Sequence, residues 1–98
     1  VSRTLVIRPA AESDIEDAFR WYEEQRSGLG AEFLVAVEAS LAAIEREPEL
    51  HPVFYRRGRR VLLRRFPYSL FYIIQPKSVD VVGCLHTRRH PRRWASRL

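Results

Sequence analysis

The sequence predicts an α+β fold with the order β-α-α-β-β-β, in which a helix hairpin packs on one face of a small, mostly antiparallel sheet of four strands. Two observations about hydrophobic period and one about charge carry that prediction. Apolar residues recur at helical spacing from Ile15 to Ile44 and at strand spacing on either side of that stretch. Acidic side chains crowd the helical half, and arginine dominates the remainder. The chain of 98 residues is long enough for one hydrophobic core, so residues 1–98 are read as one domain.

Thr4 to Arg8 alternates apolar and polar, with Leu5 and Ile7 on one face, and reads as a short strand ended by Pro9. Ser13-Asp14-Ile15-Glu16 fits a capping box, and Asp14, Glu16 and Asp17 suit the positive end of a helix dipole. A helix is therefore expected from about Ser13, or slightly earlier near Ala10. Ile15, Ala18, Phe19 and Tyr22 make its apolar stripe. Ser27-Gly28-Leu29-Gly30 breaks it, since glycine permits a tight reversal. A second helix follows from about Ala31 to Arg46, with Phe33, Leu34, Val37, Leu41 and Ile44 as its stripe and Pro48 beyond its end. So short a link forces the two helices antiparallel.

Residues 49–58 read as a connector. Arg59 to Arg65 reads as a strand, and Phe66-Pro67 breaks it. Tyr68 to Gln75 is apolar on both faces, which marks a central strand. Pro76-Lys77-Ser78 is a turn, and Val79 to Leu85 is the next strand. Links this short make the last three strands an antiparallel meander. The expected core comprises Leu5, Ile7, Ile15, Phe19, Phe33, Val37, Leu41, Val61, Leu63, Leu70, Tyr72, Val79 and Val81. His86 to Leu98 forms an Arg-rich tail anchored by Trp94.

Residues 1–50 hold 11 acidic and 5 basic side chains, whereas residues 51–98 hold 12 basic and 1 acidic, so a balance of −6 faces one of +11 within a net +5. Every cation but Lys77 is arginine, whose planar fork grips phosphate or carboxylate bidentately. An anionic partner is expected, either a nucleic acid or an acidic protein segment, beside the plain alternative of a solubilising surface. A hydrophobic share of 46% argues against a disordered chain. No apolar run approaches the roughly 20 residues of a bilayer span, and the first residues lack the apolar core of a signal peptide. A lone cysteine, Cys84, sits in an apolar run and reads as a buried small hydrophobe. A cytoplasmic protein without metal or cofactor is the expectation.

Three constellations could carry chemistry. The first is Arg56, Arg57, Arg59, Arg60, Arg64 and Arg65, with Arg88, Arg89, Arg92 and Arg93. Alternation along a strand would put Arg60 and Arg64 on one face. The second is His86 with His90 beside Arg88 and Arg89. Cleavage of RNA by its own 2′-hydroxyl needs an acid–base group and cations, and His86, Arg60, Arg64 and Arg88 are the candidates. His51 shows no sign of a role. The third is aromatic: Phe66, Tyr68, Phe71, Tyr72 and Trp94, rings that either stack on bases or fill the core. Trp21 and Tyr22 read as packing residues.

Three stretches together resemble the RelE/ParE superfamily, toxins of type II toxin–antitoxin systems. They are Ala11-Glu12-Ser13-Asp14-Ile15, the run from Arg59-Arg60-Val61 through Phe66-Pro67-Tyr68-Ser69-Leu70-Phe71-Tyr72, and His86-Thr87-Arg88-Arg89-His90-Pro91-Arg92-Arg93-Trp94. The last is similar to the H-x-R-R-x-P-x-x-W ending of ParE-like and plasmid-stabilisation members. The resemblance implies a toxin neutralised by a cognate antitoxin. RelE-like members cut mRNA on the ribosome, using sheet cations and usually a late Tyr or His; ParE-like members inhibit DNA gyrase. No Tyr follows Tyr72, and the Lys pair typical of the nucleases is absent. With the R-R-x-P-x-x-W ending, this points to the ParE-like branch, with Arg60, Arg64, Arg88, Arg89, Arg92, Arg93 and Trp94 as the partner-binding set and the ribonuclease as the alternative.

Overall fold

Pro9, and not Ser13, sets the start of the first helix. A computed structural model describes residues 3–89, 92 and 95–98. In it β1 (Thr4–Ile7) leads through Arg8 into α1 (Pro9–Gln25). Arg8 is the extended N-cap, and proline at the first helical position suits a place where an N–H would go unused. The expected capping box is thus overtaken: Ser13 is exposed in the second turn, and Asp14 is free for a different task described below. Arg26 ends α1 in an extended conformation, and Gly28, at a φ of 91°, turns the chain into α2 (Leu29–Arg46). Only glycine takes that left-handed angle without strain.

The connector holds a strand that the sequence reading passes over. Val53-Phe54-Tyr55 forms β2, and Arg56, at a φ of 52°, turns it back into β3 (Gly58–Leu62). The sheet therefore has five strands, ordered β1-β5-β4-β3-β2. β3 stops at Leu62 and not at Arg65, because Arg65 adopts a φ of 71° and the chain bends through Phe66-Pro67. β4 (Tyr68–Ile74) and β5 (Ser78–His86) lie where expected. The meander β2–β5 is antiparallel throughout, and β1 joins β5 in parallel, Leu5 opposite Val79 and Ile7 opposite Val81.

The main core lies between the helix hairpin and one sheet face. Every residue expected there is either buried in it or packed against it. Leu41 is half-buried rather than buried, so it stands at the margin and Phe33, Ile44 and Tyr72 at the centre. Side chains alternate along a strand, so Phe71 and Ile73 of β4 point the other way from Tyr72. With Val82 and Leu85 they form a second cluster on the helix-free face, which Tyr55 and Leu98 cover. Among the described residues no helix is long and apolar enough to cross a membrane.

Candidate functional site

The sheet sorts the candidate residues onto opposite sides. Arg60 stands opposite Phe71 in the β3–β4 register, and its guanidinium lies over the Phe54 ring at 3.7 Å from the centroid. That is the helix-free face. His86 stands opposite Tyr68, whose ring packs against the helix-side core, and the two rings meet edge-on at 5.4 Å. Arg64 falls in the bend beyond β3, exposed, and shares no strand with Arg60. The expected pairing of Arg60 with Arg64 on one strand face is therefore corrected: the strand was read three residues too far, to Arg65, where it ends at Leu62 ahead of the left-handed Arg65. Of the nuclease candidates, His86 and Arg88 come together, and Arg60 is on the other side of the sheet.

A groove opens where α1 passes the ends of β4 and β5. Trp21, Tyr22, Pro67, Tyr68, His86, Arg88 and Arg89 line a volume of about 650 Å³. A smaller neighbouring hollow shares Trp21, Tyr68, His86 and Arg89 and reaches Asp14 and Asp17. Trp21 is 53% exposed, unlike Tyr22, which is buried and meets Phe33, Phe66 and Tyr68. The expectation of Trp21 as a packing residue holds only in part: its ring meets Tyr22 edge-on at 5.1 Å, and the rest of it is exposed. Its spacing could have shown this, since Trp21 lies about 100° around the helix from Tyr22, off the apolar stripe. Nδ1 of His86 accepts the Arg88 amide at 3.1 Å, which fixes the ring against the groove wall. Burial first, and the Cys84 sulfur second, raise the Tyr68 phenol against the pull of Arg89, so it stays a protonated donor at neutral pH.

Several cations serve the fold. Arg8 pairs with Asp80 at 2.7 Å on the helix-free face, and Ser78 also donates to Asp80 at 2.6 Å. Burial pushes the Asp80 carboxyl up, but the Ser78 and Arg8 hydrogen bonds, with the charges of Arg8 and Arg57, outweigh it and hold it below the usual carboxylate range. Arg57 donates to the Leu98 carbonyl oxygen at 2.8 Å, and Arg59 to the His51 carbonyl at 2.7 Å. Arg65 and Arg26 both reach Glu32, and those hydrogen bonds, Arg65 first, lower its carboxyl. His51 lies edge-on to Tyr72, in keeping with a structural place.

The tail carries a contact that sequence reasoning missed. β1 ends at Ile7, opposite Val81, and leaves the second half of β5 without a strand on that side. Asp14 accepts the Cys84 amide at 3.0 Å, and Arg97 donates to the Val82 carbonyl at 3.1 Å. Asp14 and Arg97 then pair with each other at 2.6 Å. A carboxylate and a guanidinium thus close the open strand edge. No local pattern marks this link across 83 residues.

Arg88, Arg89 and Arg92 are exposed, as expected of the basic tail. Arg93, Trp94 and His90 lie outside the described residues. Phe66, Phe71 and Tyr72 are core rings, and Tyr68 both packs and lines the groove. The Tyr72 hydroxyl donates to the Pro48 carbonyl at 2.5 Å, and burial, opposed by Arg59, pushes its phenol up to about 12. Among the described residues, no group of three His, Cys, Asp or Glu side chains could hold a metal ion.

The fold matches a solved chain of the chromosomal ParDE TA system from P. aeruginosa, with a TM-score of 0.66 at 16% identity, covering 86% of this chain and 95% of that one. No curated protein matches the sequence. The family described as the ParE toxin of the type II toxin–antitoxin system parDE matches residues 5–91. That match spans both helices and all of the five strands but Thr4, so the chain belongs to the ParE toxin family.

Proposed function

We propose that this chain, as a toxin restrained by a cognate antitoxin, arrests growth in the cytoplasm by binding DNA gyrase and not by cutting RNA. The observation that carries the choice is the match to the ParE toxin family over residues 5–91, and the sheet adds to it by keeping Arg60 away from His86, so that only Arg88 and Arg89 stand beside that ring. A nuclease must bring its proton-transfer group and its phosphate-stabilising cations to the same scissile bond. An inhibitor needs only a binding surface. Arg88, Arg89 and Arg92 supply exposed cations for it, and Arg93 and Trp94 complete the proposed target-binding set. Arg60 and Arg64 are assigned to an acidic segment of the antitoxin, drawn by the +11 balance of residues 51–98.

The test is induced expression with DNA supercoiling and transcript cleavage followed together. His86→Gln is expected to retain growth arrest, because a binding surface does not need the imidazole as a proton-transfer group. Arg88→Glu with Arg89→Glu is expected to abolish it while the melting temperature is unchanged. Deleting residues 92–98 would be a poor probe, since it removes Arg97 and Leu98 from the fold. Cleaved transcripts that vanish with His86→Gln, alongside unchanged supercoiling, would replace this reading with the ribonuclease.

A further inference from the structure

The groove beside Trp21 has a composition that the fold does not account for. A tryptophan more than half exposed lines it together with Tyr68, His86 and Pro67. The volume of about 650 Å³ falls within the range of roughly 300–1,000 Å³ typical of small-molecule sites. The charges around it are unequally satisfied. Asp14 is paired with Arg97, and Asp17 lies 3.7 Å from Arg20. The guanidinium groups of Arg88 and Arg89 have no hydrogen-bond or ion-pair partner among the described residues. Two cations without a partner among the described residues, lining a groove together with aromatic rings, ask for a ligand that carries both an anion and a flat apolar body.

We propose that this groove binds a nucleotide, with its base against the Trp21 ring and its phosphate between Arg88 and Arg89. Each part answers to a different physical need. An indole more than half exposed, held edge-on to Tyr22 at 5.1 Å, gains by stacking on a base, and stacking tolerates any base because each has a π-face. Arginine matches phosphate oxygens bidentately and is less strongly hydrated than lysine. The protonated Tyr68 hydroxyl and the His86 ring give a wall with hydrogen-bonding capacity but no fixed negative charge. An acidic peptide could satisfy the cations, but it would leave the indole face without a planar partner. The chemistry is shared by a free nucleotide and by the end of a single strand. The inference does not depend on gyrase being the target.

The experiment is calorimetric titration of the purified full chain, without gyrase, against 5′-AMP, adenosine, inorganic phosphate, a 5′-phosphorylated tetranucleotide and an acidic peptide containing one tryptophan. Saturable binding of AMP is expected, with adenosine and phosphate each at least about tenfold weaker, since stacking and phosphate contacts act together. Trp21→Leu and the pair Arg88→Ala, Arg89→Ala are each expected to weaken AMP roughly tenfold, with melting temperatures unchanged. Lys77→Ala, a cation remote from the groove, should bind as the parent does. A tetranucleotide that binds tighter than AMP makes a strand the source, and equal binding makes it a free nucleotide; both support the site. AMP binding that is absent at millimolar concentration, no tighter than phosphate, or indifferent to Trp21→Leu would overturn it. So would a peptide that occupies the groove and is not displaced by AMP.

Discussion

Cys84 is 1% exposed, and burial, with the nearby Asp14 carboxylate, pushes its thiol up to about 12. At neutral pH it is a small hydrophobe with almost no thiolate, the form that reacts. Alkylation of the native protein should therefore proceed only as fast as the chain unfolds, and a rate that instead matched that of a free thiol would contradict the burial. Asp80 behaves in the opposite sense. Its carboxyl is held below the usual range in the folded state, so its contribution is present above the unfolded value of about 3.9 and is lost as pH falls through the folded one. Asp80→Asn should cost roughly 1.5–3 kcal/mol at pH 7, and the penalty should shrink in melts taken below about pH 4. The residue identities were legible here only in part. Cys84 in an apolar run reads as buried from sequence alone. Asp80, the one acid among the basic half, has no partner in its neighbourhood of the chain other than Ser78, and Arg8 comes to it from 72 residues away.

At the scale of elements, the turn between the helices is held by α1 itself. Glu23 accepts the amides of Gly28 at 3.0 Å and Gly30 at 3.0 Å, so a side chain from the first helix caps the second. Gly30 permits the approach, because a Cβ there would lie 2.8 Å from the Phe19 ring. The glycines were legible as a reversal, but only packing distinguishes Gly28, which needs its angle, from Gly30, which needs its missing side chain. The β5 edge follows the same logic. Asp14→Ala leaves the Cys84 amide and the Arg97 guanidinium without their shared acceptor, and it should cost about 1–3 kcal/mol. The destabilisation should be read from denaturant melts. Asp14→Ala and Arg97→Ala combined should cost less than the sum of the two, because they remove one interaction; strict additivity would show that the edge is not closed by the pair. The acidic start of α1 pointed to a helix cap at Ser13. Pro9 took that role at the sequence level, and the strand edge claimed Asp14 at the tertiary level.

Across the whole molecule, the division into an acidic hairpin and a basic sheet survives folding, although several cations are engaged by the chain itself. Arg8, Arg57, Arg59, Arg65 and Arg97 hold carbonyl or carboxylate oxygens of the chain itself, while Arg64, Arg88 and Arg89 face solvent. The field that remains should steer an acidic antitoxin segment. Its association rate is expected to fall several-fold or more between about 50 and 500 mM salt, with a much smaller change in dissociation. Stopped-flow mixing checks this, and an association rate indifferent to salt and to Arg64→Glu would remove the electrostatic argument. The order of helices and strands, the hairpin, the central position of β4 and nearly all of the helix-side core were determined by sequence alone. Those features depend on local period and on short links, which leave the chain few ways to run. The fifth strand, the end of β3, the closed β5 edge and the groove beside Trp21 were decided only by tertiary structure. Each depends on a backbone angle at an ordinary residue, or on side chains brought together from distant parts of the chain, and neither leaves a periodic trace in the sequence.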